Sequence, residues 1–130
     1  MELLLNLDPR QVNHPNLNGT TPLHIAARHR DKFTLPIALN VPCVDVNIQT
    51  NKKLTALHIA AHFGRMENVK TLLKNSKVKV NVQDINGDTP AHHAWKRGHK
   101  HVYDLIRTHP HYDKTIKNVH GELAGELYSF

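Results

Sequence analysis

The chain has 130 residues, of which 39% are hydrophobic and 22% charged, a balance that excludes a disordered tail. No apolar run approaches the length of a membrane span, and the single cysteine, Cys43, excludes an internal disulfide. We therefore expect an intracellular protein, most simply a cytoplasmic one, with the nucleus or the cytosol of a host cell as alternatives. The net charge of +6 favours anionic partners, but the basic residues are scattered, so nucleic acid is not the preferred partner.

A seven-residue pattern recurs along the chain. Residues 21–27 read Thr-Pro-Leu-His-Ile-Ala-Ala, residues 55–61 read Thr-Ala-Leu-His-Ile-Ala-Ala, and residues 89–95 read Thr-Pro-Ala-His-His-Ala-Trp. Both steps are 34 residues, and Val-Asn pairs at 12–13, 46–47 and 80–81 keep the same period. A fixed period of this length indicates helix-turn-helix units that must stack to bury their apolar faces.

Each unit also contains the signals of two helices. The threonine can cap a first helix, and Gly64 and Gly98 end that helix nine residues later. A second helix is clearest at 67–73, where the apolar residues share one stripe, and Asn86-Gly87 marks a tight turn before the next unit. In the first full unit Pro36 falls inside the expected second helix, so we predict a short, irregular or shifted helix there.

The Thr-Pro-Leu-His-x-Ala pattern on this period resembles the ankyrin repeat, and the resemblance covers nearly the whole chain. It implies an all-α solenoid of stacked helix-turn-helix units with β-hairpin loops, forming one domain over 1–130. We expect full repeats at 17–50, 51–84 and 85–118, a half repeat at 1–16 and a degenerate half repeat at 119–130. The half repeats favour a piece of a longer protein over a compact domain with unusual caps.

Two substitutions in the third unit leave alternatives open. Leucine is replaced by Ala91 and alanine by Trp95, four residues apart on one helix, so a large side chain has moved by one turn. We favour a compensated exchange in the core. The alternative is that Trp95 is partly exposed and anchors a partner.

The twelve histidines and the recurring asparagines are interpreted first as structural residues. The resemblance implies that His24, His58 and His92 form local hydrogen bonds and link neighbouring units. Asn47 and Asn81 are expected to bond the turn backbone. The resemblance also makes Asn47 and Asn81 possible substrates of an asparagine hydroxylase.

No enzymatic, metal or cofactor site is expected. The sequence contains no nucleophile with an orienting base, no paired carboxylates and no phosphate-binding glycine loop. His99 and His101 would point to different faces of a helix, and no cysteine lies near them, so we predict no zinc site. Histidine could still make partner binding sensitive to pH.

Ankyrin stacks typically bind partners on their concave side, which is built from hairpin tips and the exposed face of each first helix. Transferred unit by unit, this pattern predicts a partner-binding surface formed by Leu17, Asn18, Thr20, Arg28, His29, Lys52, Leu54, His62, Phe63, Ile85, Asp88, Lys96 and Arg97. Its helix positions are mostly cationic and its tips are apolar. The competing interpretation is that these are only solvated variable positions.

The sequence therefore predicts a protein–protein interaction module that binds an acidic, or mixed acidic and apolar, segment of another protein. One alternative is a non-catalytic targeting or spacer segment of a larger multidomain protein, such as a bacterial effector with eukaryotic-like repeats. Another is binding of nucleic acid or anionic lipid through net charge alone. The oligomeric state is left open.

Overall fold

A computed structural model describes residues 19–31, 33–41 and 44–124 of the chain. The half repeat predicted for 1–16 lies outside the described residues, as do Leu17, Asn18, Cys43 and residues 125–130 of the degenerate half repeat.

The described residues form six helices arranged as three consecutive pairs. They are α1 (Pro22–Arg28), α2 (Thr34–Leu39), α3 (Ala56–His62), α4 (Met66–Lys74), α5 (Pro90–Lys96) and α6 (Lys100–Arg107). The first helices α1, α3 and α5 pack side by side in one row, and the second helices α2, α4 and α6 pack in another. This arrangement confirms the all-α solenoid.

The two rows are not packed equally. The first helices contact one another more extensively than the second helices do. The first helices and the adjoining loop tips therefore form the more closely packed side of the stack, which we call its inner side. None of the helices in the described ranges is long and apolar enough to cross a membrane.

Each first helix begins at the threonine of the repeated pattern. Thr21, Thr55 and Thr89 are N-caps whose hydroxyls accept the backbone N–H of the histidine three residues later. The histidine ring completes a capping box, because its Nδ1 accepts the backbone N–H of the threonine, at 3.0 Å in the first unit.

The same histidines link neighbouring units. Because Nδ1 is an acceptor, Nε2 carries the proton and donates to a backbone carbonyl of the next unit. His24 Nε2 lies 3.1 Å from the Leu54 oxygen, His58 Nε2 2.9 Å from that of Asp88, and His92 Nε2 2.8 Å from that of Glu122. His24 Nε2 also lies 2.8 Å from the Ile48 oxygen of its own unit. The predicted structural role of the three histidines is confirmed.

The core is a continuous layer of small and aliphatic side chains. Alanines of the first helices are fully buried, which lets the helices approach closely, and Leu57, Val69, Leu72 and Ile106 fill the space between the rows. Trp95 is only 2% exposed. The interpretation of Trp95 as a core residue is therefore confirmed, and the alternative of an exposed anchor is wrong.

The loops between units are tight turns. Thr50, Asp84 and Asn118 each accept, through a side-chain oxygen, the backbone N–H groups two and four residues later. The sequence predicted β-hairpins in these loops. Within the described ranges, a single isolated β-bridge forms, between Lys117 and Leu123. Each turn is also closed by a backbone hydrogen bond, which joins the Thr50 N–H to the Leu54 carbonyl at 2.9 Å and recurs at Asp84 and Asn118.

The second helix of the first unit is short, as predicted from Pro36. Helix α2 has six residues, against nine in α4. It begins at Thr34, which places Pro36 in the first turn, where the missing N–H has no helical partner to lose.

Candidate partner-binding site

The inner side of the stack carries a groove made of two adjoining cavities, which we call the inner groove. The first cavity, of about 310 Å³, lies between α3, α5 and the loop tips. The second, of about 420 Å³, lies between α1, α3 and the preceding loop tip. Both cavities are lined by Lys52, Leu54, Ile59 and Phe63, so they form one continuous surface.

The centre of the inner groove combines an exposed aromatic ring with cations. The guanidinium carbon of Arg28 lies 5.0 Å from the ring centroid of Phe63, and that of Arg65 lies 5.9 Å from it. Ile25, 41% exposed, and Ile85, 56% exposed, extend the apolar surface in both directions. This arrangement can bury apolar side chains of a ligand while its carboxylates meet arginine.

The structure brings many of the predicted partner contacts to this groove. Those that line it are Thr20, Arg28, Lys52, Leu54, His62, Phe63 and Ile85. His29 lies apart from them, in a separate depression beside Arg65 and Met66. Lys96 and Arg97 are exposed at the end of α5, next along the stack.

The structure corrects the prediction that Asp88 contacts a partner. Asp88 is 4% exposed. One of its carboxylate oxygens accepts a hydrogen bond from Asn118 Nδ2 at 2.9 Å, and the other lies 3.1 Å from Lys96 Nζ. Asp88 therefore ties the turn before α5 to the turn after α6, and Lys96 forms an ion pair with it.

Several groove residues were missed from sequence. Ile25, Ile59 and His93 line the inner groove and occupy the variable position of the repeated pattern, 34 residues apart. Exposure of the variable position could have been inferred from the pattern. The sequence pattern did not mark Asp84 as a groove residue, because the conformation of its turn is what brings its side chain to the groove.

Two histidines and an aspartate are in hydrogen-bonding contact within the first cavity. His93 Nε2 lies 2.7 Å from Asp84 Oδ2, and His93 Nδ1 lies 3.3 Å from His62 Nδ1. Burial raises the pKa of Asp84, but the hydrogen bonds from His93 and from the backbone of Asp88 and Asn86 outweigh it, so that the pKa is lowered overall. Asp84 is therefore a carboxylate at neutral pH.

The nearby histidines are held in their neutral form. Burial lowers the pKa of His62, and the charges of His93, Arg97 and His99 lower it further. Burial, with the charge of His93, lowers the pKa of His58 to about 4. The groove therefore derives its positive charge from arginine and lysine rather than from these two histidines.

Asn47 and Asn81 lie away from the inner groove and hold the stack together. Asn47 Nδ2 donates to the Lys77 carbonyl at 2.8 Å, and its Oδ1 accepts the Lys79 N–H at 2.8 Å. Asn81 makes the corresponding pair of bonds with the backbone at 111–113. These side chains bond backbone as predicted, but in the next unit rather than in their own turn. Both residues are half-buried, and hydroxylation of Asn47 and Asn81 stays a prediction.

Comparison with known proteins gives consistent similarities. A family model described as "Ankyrin repeats (many copies)" matches residues 57–106. Over 103 residues, 77% of this chain, the sequence is 35% identical to inversin of Homo sapiens. Over 94 residues, 72% of this chain, it is 31% identical to the SMC5-SMC6 complex localization factor protein 1 of Homo sapiens. Over 84 residues, 62% of this chain, it is 37% identical to a probable serine/threonine-protein kinase of Dictyostelium discoideum.

The similarity covers a small part of each of these proteins. The matched segments make up 9% of inversin, 9% of the localization factor and 10% of the kinase. The similarity therefore concerns the repeats.

Proposed function

Because this chain belongs to the ankyrin-repeat family, whose repeats are protein–protein interaction modules, we propose that its inner groove binds an acidic segment of a partner protein that also carries apolar side chains. The observation that carries this proposal is the exposed ring of Phe63 beneath the guanidinium of Arg28. No catalytic role is part of it.

The proposed contact has an apolar part. Phe63, Ile25 and Ile85 are more than one-third exposed and lie along one continuous surface. Burying apolar surface yields about 25 cal/mol per Å², so a few ligand side chains of leucine or phenylalanine size would supply most of the binding free energy. Aromatic side chains, phenylalanine among them, are enriched in the buried core of protein interfaces.

The proposed contact also has an electrostatic part. Arg28 and Lys52 line the groove, and Arg97 is exposed at the next position along it. An arginine can hold a carboxylate with two parallel hydrogen bonds, which fixes the direction of the bound segment as well as attracting it. A net charge of +6 adds a long-range preference for acidic partners.

We further propose that this module is a segment of a longer protein and acts inside the cell. The small share of each relative that it matches supports the first point, and a single cysteine supports the second. A spacer role within that longer protein is the rival proposal, and it predicts no selective ligand for the inner groove.

Charge-driven binding of nucleic acid or anionic lipid is the other rival. It rests on the net charge alone and predicts binding to any anionic polymer with a steep loss on raising salt. The inner groove proposal predicts instead a ligand that needs both carboxylates and apolar side chains.

The experiment that tests the proposal is selection from a random peptide library displayed against the whole chain. We expect the selected peptides to combine aspartate or glutamate with leucine, isoleucine or phenylalanine within a short segment. Selection of basic peptides, or of no consensus, would contradict an acidic and apolar ligand.

A further inference from the structure

The third described unit departs from the others at two positions that face the first cavity. His93 stands where α1 and α3 carry Ile25 and Ile59, and Asp84 stands where the preceding turn carries Thr50. Thr50 shows that the turn can form without a carboxylate, and isoleucine shows that the helix packs without an imidazole. Neither substitution is required by the fold.

The two substituted residues are in contact, and they fix the state of the His93 ring. Asp84 Oδ1 accepts the backbone N–H groups of Asn86 and Asp88, and its Oδ2 lies 2.7 Å from His93 Nε2. A carboxylate only accepts hydrogen bonds, so Nε2 of His93 is the protonated nitrogen. The lone pair of neutral His93 is therefore on Nδ1.

That lone pair faces a second imidazole. His93 Nδ1 lies 3.3 Å from His62 Nδ1, across the boundary between two units. Zinc binds imidazole nitrogen at about 2.0–2.1 Å, so two nitrogens on one tetrahedral ion lie roughly 3.3 Å apart. The spacing of the two nitrogens matches a pair of ligands on one ion, and without an ion it accommodates a hydrogen bond from His62 Nδ1–H to His93 Nδ1.

We propose that His62 and His93 bind a divalent late transition-metal ion, with zinc as the representative ion, through their Nδ1 atoms, and that Asp84 orients His93 from behind. A histidine ligand that donates its other N–H to a carboxylate is the usual arrangement at zinc sites in proteins. Two imidazoles suit zinc, copper or nickel and do not suit calcium or magnesium, which require oxygen ligands. Water completes the coordination from the first cavity, whose volume of about 310 Å³ accommodates it.

A different set of ligands converges nearby and is less suitable. Ligand atoms of His58, Asp84 and His93 lie within 4.8 Å of one another. However, both nitrogens of His58 are committed to the stack, because Nδ1 accepts the Thr55 N–H at 3.1 Å and Nε2 donates to the Asp88 carbonyl at 2.9 Å. Binding of an ion by His58 would break the link between two units.

This site differs from the expectation drawn from sequence, which considered only histidines close in the chain. His62 and His93 are 31 residues apart and meet because neighbouring units stack in register. The proposal does not depend on the partner-binding function of the inner groove, and either can fail without the other.

The test is zinc titration of the whole chain by isothermal calorimetry at pH 7.5, with the variants His62→Ala and His93→Ala. We expect each variant to lose roughly ten-fold or more in zinc affinity, and Asp84→Asn to lose about 10–100-fold, as for other carboxylates behind histidine ligands. The matched control is His111→Ala, which removes the exposed ring of the His109–His111 pair. It should bind zinc as the wild type does.

Three outcomes would overturn the proposal. Equal zinc binding by the wild type and by a His62→Ala/His93→Ala double variant would place any ion elsewhere. Loss of binding in His111→Ala would assign it to the His109–His111 pair. Loss in His93→Ala with none in His62→Ala would point to His58, Asp84 and His93 as ligands. Circular dichroism confirms that each variant is folded, and histidine NMR resonances identify the rings that zinc perturbs.

Discussion

At the scale of single residues, one turn has a lysine at a position where the other turns have glycine. Gly19, Gly87 and Gly121 have φ of 75°, and Lys53, which occupies the same place in its own turn, has φ of 67°. A left-handed backbone conformation costs a side chain such as lysine about 1–2 kcal/mol, whereas glycine adopts it freely. The second turn therefore stores strain that its neighbours lack.

We predict that Lys53→Gly stabilises the protein. The relief of strain exceeds the added entropy of glycine in the unfolded chain, leaving a net gain of about 1 kcal/mol in the free energy of unfolding. Urea unfolding followed by circular dichroism measures the change in the free energy of unfolding. The control is Lys79→Gly, which replaces a lysine whose φ is not positive. A Lys53→Gly variant less stable than the wild type would contradict the account of this turn.

A second residue-scale prediction concerns the buried His58. Burial lowers its pKa to about 4, below the value of roughly 6.5 expected in the unfolded chain. Between these values the unfolded state binds more protons than the folded state. Stability is therefore complete above pH 6.5 and decreases as pH falls towards 4, by up to roughly 1.4 kcal/mol per pH unit for this histidine.

Urea unfolding at pH 7.5, 6.5 and 5.5 in the presence of EDTA measures the effect, and NMR of the His58 ring tests its origin. The ring should remain neutral at pH 5.5 while stability has already declined. A His58 ring that titrates near pH 6.5, or a stability that is equal at pH 7.5 and 5.5, would contradict it.

At the scale of elements, the ends of the first helices are held by the second helices of the following unit. Arg65 Nε donates to the Arg28 carbonyl at 2.7 Å, and His99 Nε2 donates to the His62 carbonyl at 3.1 Å. The two donors are 34 residues apart, and so are the two acceptors. Arginine in one unit and histidine in the next therefore make the same link. His99 thus has a structural role that its proximity to His101 in sequence did not indicate.

Asn68, on α4, makes a buried set of hydrogen bonds to the end of α1. Its Nδ2 lies 2.9 Å from the Ala27 carbonyl and 2.8 Å from the His29 carbonyl, and the residue is 2% exposed. It satisfies carbonyls at the end of α1 that have no partner inside the helix. The α4 helix therefore stabilises the preceding unit through a side chain as well as through apolar packing.

We predict that Asn68→Ala lowers the free energy of unfolding by about 1–3 kcal/mol, because it leaves buried carbonyls without a donor. The control is Thr71→Ala on the same helix, whose hydroxyl bonds only the Glu67 carbonyl of its own helix. That variant should change stability by less than about 0.5 kcal/mol. If both variants were equally stable, the link between α4 and α1 would contribute nothing measurable.

At the scale of the whole molecule, the repeated pattern predicted the elements but not the contacts between them. The threonines at 21, 55 and 89 start α1, α3 and α5 because an N-cap is a local property of a few residues. The burial of Trp95 was also predictable, since Ala91 compensates for its volume within one helix.

Apart from the histidine links, which the resemblance to the ankyrin repeat implied, contacts between units were not predictable, because they depend on the register of stacking. The approach of His62 to His93 and the bonds of Asn47 to the next unit each join residues about 30 positions apart. Asp88 was misassigned to the exposed surface for the same reason, since its partner Asn118 belongs to the following turn. A period fixes which residues are equivalent, and only the packed stack shows which of them meet.

Binding of an acidic and apolar partner segment by the inner groove can be tested with the selected peptides. The most direct measurement is the affinity of the tightest selected peptide for the wild type, for Arg28→Glu/Arg97→Glu and for the matched control Lys77→Glu/Lys79→Glu. Both variants change the net charge equally, and the control residues are exposed and lie outside both cavities. Lys96 is left unchanged because its reversal would place a negative charge beside the buried Asp88.

We expect Arg28→Glu/Arg97→Glu to lose at least roughly ten-fold in affinity while the control stays within about three-fold of the wild type, at low and at physiological salt. Equal losses in the two variants, vanishing together at higher salt, would contradict a groove-specific site and would favour binding by net charge alone.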